Sequence, residues 1–395
     1  MVATRTKETR APLGRLFPWR VLILAFLGIV VVGSAAVAGG GWYYSNQLRD
    51  EALLPNSDPS EPDLKVLALE GGVVTLGVTP EASKDGYWTE GGVFGLEWEG
   101  GYGQVGAILE IDDRQVVREF SPLHGQPEVG DLARLDSFAF PGDPQQAHGI
   151  PFEEVIFTSP LGDFPAWFVD GPRDTWVIFV HGRGADRREA LRMLPIVTEL
   201  GFPSLTITYR NDPEALPSSD GYYRFGQTEW EDLEAAADYA VRQGAENLVL
   251  VGYSMGAAIV VNFLYESPLA DRVGGAVLDA PMLDFGATVD LGARQQGVPG
   301  LLTAVGKRVA GSRFDIDWVE LNYLERADKL VVPILLFHGD EDHTVPVETS
   351  DALASARPDI VTYVRVAGAG HVRAWNVDPE AYESAVGDFL MFVAP

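Results

Sequence analysis

The second part of the chain alternates short, almost unbroken apolar runs with segments of helical periodicity. The runs 175–180, 247–251 and 332–337 are apolar at nearly every position, which is typical of strands buried on both faces of a parallel sheet. Between them, residues 230–240 repeat apolar side chains at helical spacing, and Thr228 to Glu231 has the spacing of a capping box. Alternating strands and helices predict an α/β fold with a mostly parallel, doubly wound sheet.

The first part of the chain has different patterns. Residues 21–44 form an uncharged, mostly apolar run, which is long enough to cross a bilayer as a helix. We expect the glycines at 39–41 to end this run and the polar residues 45–62 to form a linker. Residues 63–150 contain short alternating runs, many glycines and close turn residues, so they are predicted to form a small β-rich, antiparallel accessory region.

A serine lies at the point where one buried strand should end and a helix should begin. The run that ends at Val251 continues as Gly252-Tyr253-Ser254-Met255-Gly256, followed by small alanines. This G-x-S-x-G pattern in this position indicates a nucleophile elbow, a strained turn that exposes a serine hydroxyl above the sheet. The glycines suit the close passage of strand and helix, where larger side chains would collide. Simple capping of the following helix is the alternative role for Ser254.

Polar motifs follow three other predicted strands. His181-Gly182-Arg183-Gly184 comes after the first run, and His338 to Pro346 follows the run at 332–337. A last strand over 361–366 leads into Ala367 to His371. Ligands bind at the carboxyl ends of strands in open α/β sheets. The motifs therefore predict acidic and imidazole side chains at one edge, beside the serine.

In motif content and order, residues 151–395 resemble an α/β-hydrolase. The resemblance is greatest to the Bem46-like and prolyl-oligopeptidase-like serine hydrolases, the latter including dipeptidyl and acylaminoacyl peptidases. It rests on the HG turn, G-x-S-x-G, H-G-x-x-D-x-x-V-P and G-x-G-H, and the family triad runs in the order Ser, Asp or Glu, His. The resemblance implies these site residues: Ser254 as nucleophile, Asp342 as acid, His371 as base, and the backbone N–H groups of Met255 and Arg183 as the oxyanion hole.

The residue types suit these roles. A serine needs a base within hydrogen-bond reach, an imidazole can take and return the proton, and a carboxylate can orient and stabilise that imidazole. The acid has two alternatives on other turns, Asp279 and Asp340. His181 and His338 are expected to be structural. The Arg183 side chain can be either a solvated surface group or a clamp for an anion.

Residues 283–326 form an insertion between predicted strands. It carries the apolar stretch 299–306 and, further along, Phe314, Trp318 and Tyr323. The insertion can be a cap that lines an acyl pocket, or a plain crossover that buries its own apolar face.

The basic tail of residues 1–20 predicts the orientation of the apolar run. Positive flanks stay in the cytoplasm, so the rest of the chain is expected outside, with a single-pass anchor in the cell membrane. Ala36-Val37-Ala38 also fits a signal-peptide cleavage site, and secretion after cleavage is the alternative. The length of the run favours a retained anchor.

Composition narrows the chemistry. The chain has no cysteine, which excludes disulfides and thiol nucleophiles. Its formal net charge is −28, which argues against nucleic acid as a partner. No phosphate-binding loop or metal motif is found, so no cofactor is expected.

The sequence therefore predicts a membrane-anchored serine hydrolase, either an esterase or a peptidase, that forms an acyl-enzyme. A small-molecule, lipid or peptide ester, thioester or amide is the expected substrate. The alternatives are a non-catalytic envelope protein that binds ligands on a hydrolase fold and a serine peptidase for short peptides. The oligomeric state is left open.

Overall fold

The computed structural model describes residues 19–55, 61–79 and 87–395. Residues 1–18 of the basic tail and 56–60 of the expected linker lie outside the described residues. The helices are α1 Trp19–Leu48, α2 Pro144–His148, α3 Leu194–Glu199, α4 Trp230–Arg242, α5 Met255–Glu266, α6 Phe285–Gln295, α7 Gly300–Phe314, α8 Val347–Ala356, α9 Ala374–Val377 and α10 Pro379–Val393. The strands are β1 Leu64–Glu70, β2 Val73–Val78, β3 Phe94–Trp98, β4 Gly101–Ile111, β5 Gln115–His124, β6 Leu132–Asp136, β7 Glu153–Ser159, β8 Gly162–Val169, β9 Thr175–Val180, β10 Ser204–Ile207, β11 Asn247–Tyr253, β12 Val273–Asp279, β13 Ile334–Gly339 and β14 Val361–Val366.

Strands β1 to β6 close into an antiparallel barrel in the order β1-β2-β5-β4-β3-β6. Alternate side chains point inward and form a separate core that includes Val66, Leu76, Phe94 and Val105. The guanidinium of Arg118 is also buried and donates to the carbonyl oxygens of Gly106 and Gly92. The β-rich region predicted from short alternating runs is therefore a small closed barrel.

The remaining strands form one eight-stranded mixed sheet in the order β14-β13-β12-β11-β9-β10-β8-β7. The strands from β14 to β10 run parallel, and β8 pairs antiparallel with both β10 and β7. Strand β9 is buried along its whole length because Ile178 and Val180 enter the core under α4 and α5, whereas Val177 and Phe179 enter the core under α3 and α10. The apolar runs predict this buried, mostly parallel sheet, and the arrangement is the α/β-hydrolase fold that the motif resemblance implies.

Helix α1 differs from the sequence prediction in where it ends. It continues through Gly39–Gly41 to Leu48, and a π-helical segment Arg49–Leu53 follows. The predicted linker is thus helical in its first part. The reason is tertiary: a Cβ on Gly41 would lie 2.6 Å from Val305 Cγ1, so glycine allows α1 to pack closely on α7. Leu53 then enters the core beneath α4 and α5.

The described chain has one helical segment, Leu22–Leu53, that is long and apolar enough to cross a membrane. Its large apolar side chains from Leu22 to Val31 are exposed where the structure describes them. By this measure the segment can be a membrane anchor or a signal sequence.

The start of α4 corrects a smaller prediction. Thr228 does not cap the helix, which begins at Trp230 with no side-chain cap at Glu229. The buried Glu229 carboxylate instead accepts hydrogen bonds from the N–H groups of Arg224 and Gly226 in the preceding loop. A loop contact made by the fold thus replaces the local capping box.

Candidate active site

Ser254 sits in the sharp turn between β11 and α5. Its backbone has φ 50° and ψ −112°, a sparsely populated conformation that costs free energy and that the surrounding structure must maintain. The flanking glycines make the turn possible. A Cβ on Gly252 would lie 2.5 Å from Ala257 Cα, and one on Gly256 would overlap the Val180 carbonyl oxygen. The strand, the turn and the helix therefore fit together only without side chains at these two positions.

Three side chains that are far apart in sequence meet at this turn. Ser254 Oγ lies 2.8 Å from His371 Nε2, and His371 Nδ1 lies 2.6 Å from Asp342 Oδ2. The other carboxylate oxygen of Asp342 accepts the N–H groups of Thr344 and Val345 at 2.7 and 2.8 Å. The acid is thereby fixed in its loop, and the imidazole bridges it to the serine hydroxyl.

A second imidazole contacts the same carboxylate. His338 Nε2 lies 3.1 Å from Asp342 Oδ2, while His338 Nδ1 contacts Ser350 Oγ at 2.7 Å. Burial would raise the pKa of Asp342, but His371 and His338 together hold that pKa well below its usual range. Asp342 is therefore ionised at neutral pH, as a partner of a proton-accepting imidazole must be.

The turn after β9 passes directly over the serine. A Cβ on Gly182 would lie 3.2 Å from Ser254 Cβ, and the Gly182 N–H donates to the buried carboxylate of Glu189 at 2.7 Å. Within the described part of the chain, the amides of Met255 and Arg183 have no hydrogen-bond acceptor. Both sequence-predicted oxyanion donors thus remain available beside Ser254.

The side chain of Arg183 is half-buried near the same edge. Burial lowers the pKa of its guanidinium, and the surrounding Tyr223, Tyr209 and Glu51 act in the opposite direction. Glu51 belongs to the π-helical segment after α1. The negative charge of Glu51, at the end of the N-terminal helix, therefore acts on Arg183 in the turn after β9.

The alternative acids have other partners. Asp279 Oδ2 accepts a hydrogen bond from the Tyr382 hydroxyl at 3.2 Å, and burial raises the pKa of Asp279 to about 6 despite nearby Arg192. Asp340 accepts the N–H of Gly368 at 2.7 Å. Neither carboxylate contacts His371 among the hydrogen bonds of the described residues.

His181 is part of the scaffold. Its Nε2 lies 2.9 Å from Asp212 Oδ2, and its ring stacks on Tyr209. Burial alone would lower the pKa of His181, but the Asp212 carboxylate raises it to about 9. This buried pair holds the start of the turn after β9 against the loop after β10.

Sequence reasoning missed three supporting carboxylate contacts: Glu189 to the Gly182 amide, Asp212 to His181, and Asp342 to His338. Only the last had a local signal, since these two residues stand four apart on the acid turn. The other partners lie 7 and 31 residues apart, and no periodic pattern connects them.

Two cavities flank the insertion helices. One of about 310 Å³ is lined by the end of α1, by α6 and α7, and by His343 and Thr344 next to the acid. A larger one of about 840 Å³ is lined only by residues between Asp290 and Trp318. Of these two cavities, only the smaller one is lined by residues next to Asp342. The described residues contain no group of three or more His, Asp or Glu side chains arranged to hold a metal ion.

Comparison with known proteins agrees with this architecture. The sequence model of the alpha/beta hydrolase family matches residues 177–385, and a domain of unknown function matches residues 65–136. The chain is 24% identical over 254 residues to the uncharacterized protein YfhR of Escherichia coli, covering 60% of this chain and 80% of that protein. It is also 24% identical to human protein ABHD12B, covering 46% of this chain and 50% of that protein.

Among solved structures, an esterase of Pyrococcus furiosus superposes with a TM-score of 0.52 at 22% identity. The match covers 64% of this chain and 96% of the esterase. At this level of identity the similarity establishes only a fold, that of the part of the chain that contains the eight-stranded sheet.

Proposed function

Because the chain belongs to the alpha/beta hydrolase family, we propose that it is a serine esterase that acts through an acyl-enzyme. The observation that carries the proposal is the contact of Ser254 Oγ with His371 Nε2 at 2.8 Å, with Asp342 at 2.6 Å behind the imidazole. A non-catalytic protein that only bound ligands would need no such connected arrangement. Ester bonds are favoured over peptide bonds because the solved structures with a matching fold include an esterase.

In the first step, His371 Nε2 takes the proton of Ser254 as Oγ attacks the carbonyl carbon of the ester. The resulting imidazolium faces the Asp342 carboxylate, which stabilises it. The proton then passes to the alcohol oxygen as the bond from carbon to that oxygen breaks. The acyl group stays on Ser254.

In the second step, water replaces the alcohol. His371 removes a proton from the water, the new oxygen–carbon bond forms, and the bond to Ser254 Oγ breaks with return of the proton to the serine. The oxyanion formed in each step accepts hydrogen bonds from the backbone N–H groups of Met255 and Arg183. Removing one such donor typically costs about 3 kcal/mol of transition-state stabilisation.

The enzyme is proposed to work on the outer face of the cell membrane. The apolar helix supports an anchor, and the basic residues before it support a cytoplasmic tail. The motif resemblance to Bem46-like and prolyl-oligopeptidase-like hydrolases keeps short peptide amides among the substrates to be measured.

The test is covalent labelling of the full chain by a fluorophosphonate probe. Wild type and the control Ser312→Ala are expected to be labelled, and Ser254→Ala is not. Equal labelling of Ser254→Ala would remove the assignment of the nucleophile. A panel of ester, thioester and amide substrates with one common acyl group then identifies the bond, and amide cleavage alone would replace the esterase with a peptidase.

A further inference from the structure

We propose that the end of the N-terminal helix forms one wall of the pocket that binds the apolar chain of the substrate, and that this substrate is an acyl ester dissolved in the bilayer. The proposal rests on the proposed function, since it names the substrate class of the same site. It is carried by the cavity of about 310 Å³ between α1, α6, α7 and the acid turn.

The walls of this cavity are mainly apolar. Leu48 and Ala52 come from α1 and its continuation, and Phe285, Val289 and Ala293 come from α6. Its volume lies at the lower end of the range for small-molecule pockets, which are concave and mostly apolar with few polar groups. An alkyl chain fits that lining better than a peptide or a sugar does.

The cavity is connected to the candidate active site on two sides. Thr344 lines the cavity and donates its N–H to Asp342. His343 also lines it, and its carbonyl oxygen accepts a hydrogen bond from the side chain of Gln295 in α6. On the opposite side Glu51 lines the cavity and acts on Arg183 of the oxyanion turn. The proposal places the ester group beside Ser254 and its apolar chain in this neighbouring cavity.

The wall made by α1 is firmly docked. A Cβ on Gly306 of α7 would lie 3.1 Å from Tyr44 Cβ, so the two helices approach closely above the cavity. Two turns further along α7, the Arg313 guanidinium lies 3.6 Å above the Trp42 ring and donates to Asn46 Oδ1 at 2.8 Å. These contacts fix the segment from Tyr44 to Ala52 against the hydrolase.

The same helix leads from the cavity to the membrane. Its exposed apolar part precedes Gly40, which faces Leu302 near the start of α7. With a rise of about 1.5 Å per residue, the cavity residues from Tyr44 to Ala52 lie roughly 6–18 Å beyond that level. Leu301, at the first turn of α7, is 69% exposed and would face the bilayer surface. A lipid-dissolved ester thus has a short path into the site.

The test uses the full chain in lipid nanodiscs and a variant that fills the cavity. Gly292 of α6 lines the cavity, and a Cβ there meets no atom within 4 Å, so Gly292→Phe adds bulk at the cavity wall with no clash at its Cβ. The matched control is Gly300→Phe in α7, which also has open space but lines only the other cavity. Ala293→Leu is a second, milder filling variant.

Two substrate series show whether the apolar chain in the pocket belongs to the acyl group or to the alcohol of the ester. One varies the acyl group of p-nitrophenyl esters from acetyl to dodecanoyl, and the other varies the alcohol of acetate esters over the same lengths. Wild type is expected to prefer long chains in one series. Gly292→Phe should lower the ratio of long-chain to acetyl kcat/KM at least about 10-fold, as methylene-sized changes in apolar pockets allow. Gly300→Phe should keep the wild-type ratio.

A readout that needs no turnover distinguishes the two proposals. A dodecyl ester with a terminal diazirine, added to Ser254→Ala in nanodiscs, should crosslink to residues 44–52 or 285–306, and Gly292→Phe should abolish these crosslinks. If Ser254→Ala shows these crosslinks but wild type does not turn over any ester, the esterase proposal is contradicted and the pocket proposal is supported. Wild-type ratios in both filling variants, or crosslinks confined to residues 22–31, would overturn the pocket.

Discussion

At the scale of single residues, the site depends on which carboxylates keep their charge. Asp342 is ionised although buried, because two imidazoles and two backbone N–H groups face it. Asp279 is equally enclosed, but one of its oxygens has no hydrogen-bond partner, and burial raises its pKa to about 6. Two aspartates that look alike in the sequence therefore differ in the direction of their pKa shift and in their hydrogen-bond partners.

Exchanging each carboxylate for an amide separates these roles. Asp342→Asn should lower kcat on an ester about 10³- to 10⁴-fold, because the amide cannot hold His371 in the required tautomer or stabilise its charged form. Asp279→Asn should stay within a few fold of wild type. Steady-state kinetics at pH 8 measure both, and a near-normal rate for Asp342→Asn would move the acid elsewhere.

Asp279 should also make the free energy of unfolding depend on pH. Its folded pKa of about 6 exceeds the usual 3.8, so its contribution is fully present below about pH 4 and is lost as pH rises through 6. From pH 4 to pH 8 this loss is on the order of 3 kcal/mol. Urea unfolding at several pH values should show it in wild type and not in Asp279→Asn, and parallel curves for the two proteins would contradict it.

At the scale of elements, small residues decide which pieces of backbone come together. The elbow needs Gly252 and Gly256, and the contact of α1 with α7 needs Gly41 and Gly306. In isolation, glycines at 39–41 disfavour a helix, yet α1 continues through them because packing on α7 compensates. The same continuation brings Leu53 into the hydrolase core.

A pair of neighbouring glycines tests this packing. A Cβ on Gly41 would lie 2.6 Å from Val305 Cγ1, whereas a Cβ on Gly39 meets no atom within 4 Å. We expect Gly41→Leu to destabilise the docked helix by about 1–3 kcal/mol, as overpacking typically does, and Gly39→Leu to be neutral. Thermal unfolding of the full chain in nanodiscs measures the difference. Equal midpoints for the two variants would mean that α1 does not dock on α7.

At the scale of the whole molecule, three parts meet around the candidate site. The barrel contacts the segment just after His371, where the Asn376 side chain donates to the carbonyl oxygens of Val93 and Ser137 at 2.7 and 2.8 Å. The end of α1 contacts α7 on the other side. The part of the chain that carries the candidate site thus contacts both the accessory barrel and the N-terminal helix.

The absence of cysteine makes the membrane orientation directly measurable, because each introduced thiol is the only one in the chain. Leu216→Cys places a thiol at a position 46% exposed on the hydrolase, and Ala3→Cys places one in the basic tail. A membrane-impermeant maleimide should label the first in intact cells and the second only after permeabilisation. The reverse pattern would invert the orientation, and a mature chain that starts at Gly39 would replace the anchor with a cleaved signal.

The sequence alone determined the buried strands at 175–180, 247–251 and 332–337 and the serine turn, because apolar runs and glycines at close crossings are local requirements. Motif order along the chain also placed Ser254 and His371 at one edge of the sheet. The tertiary structure decided which aspartate meets the imidazole, since Asp279, Asp340 and Asp342 all follow strands and only the loop path brings Asp342 to His371. It also decided that residues 45–53 are helical and that Glu229 replaces a capping box. Those outcomes depend on partners that lie far away along the chain, and no local pattern contains them.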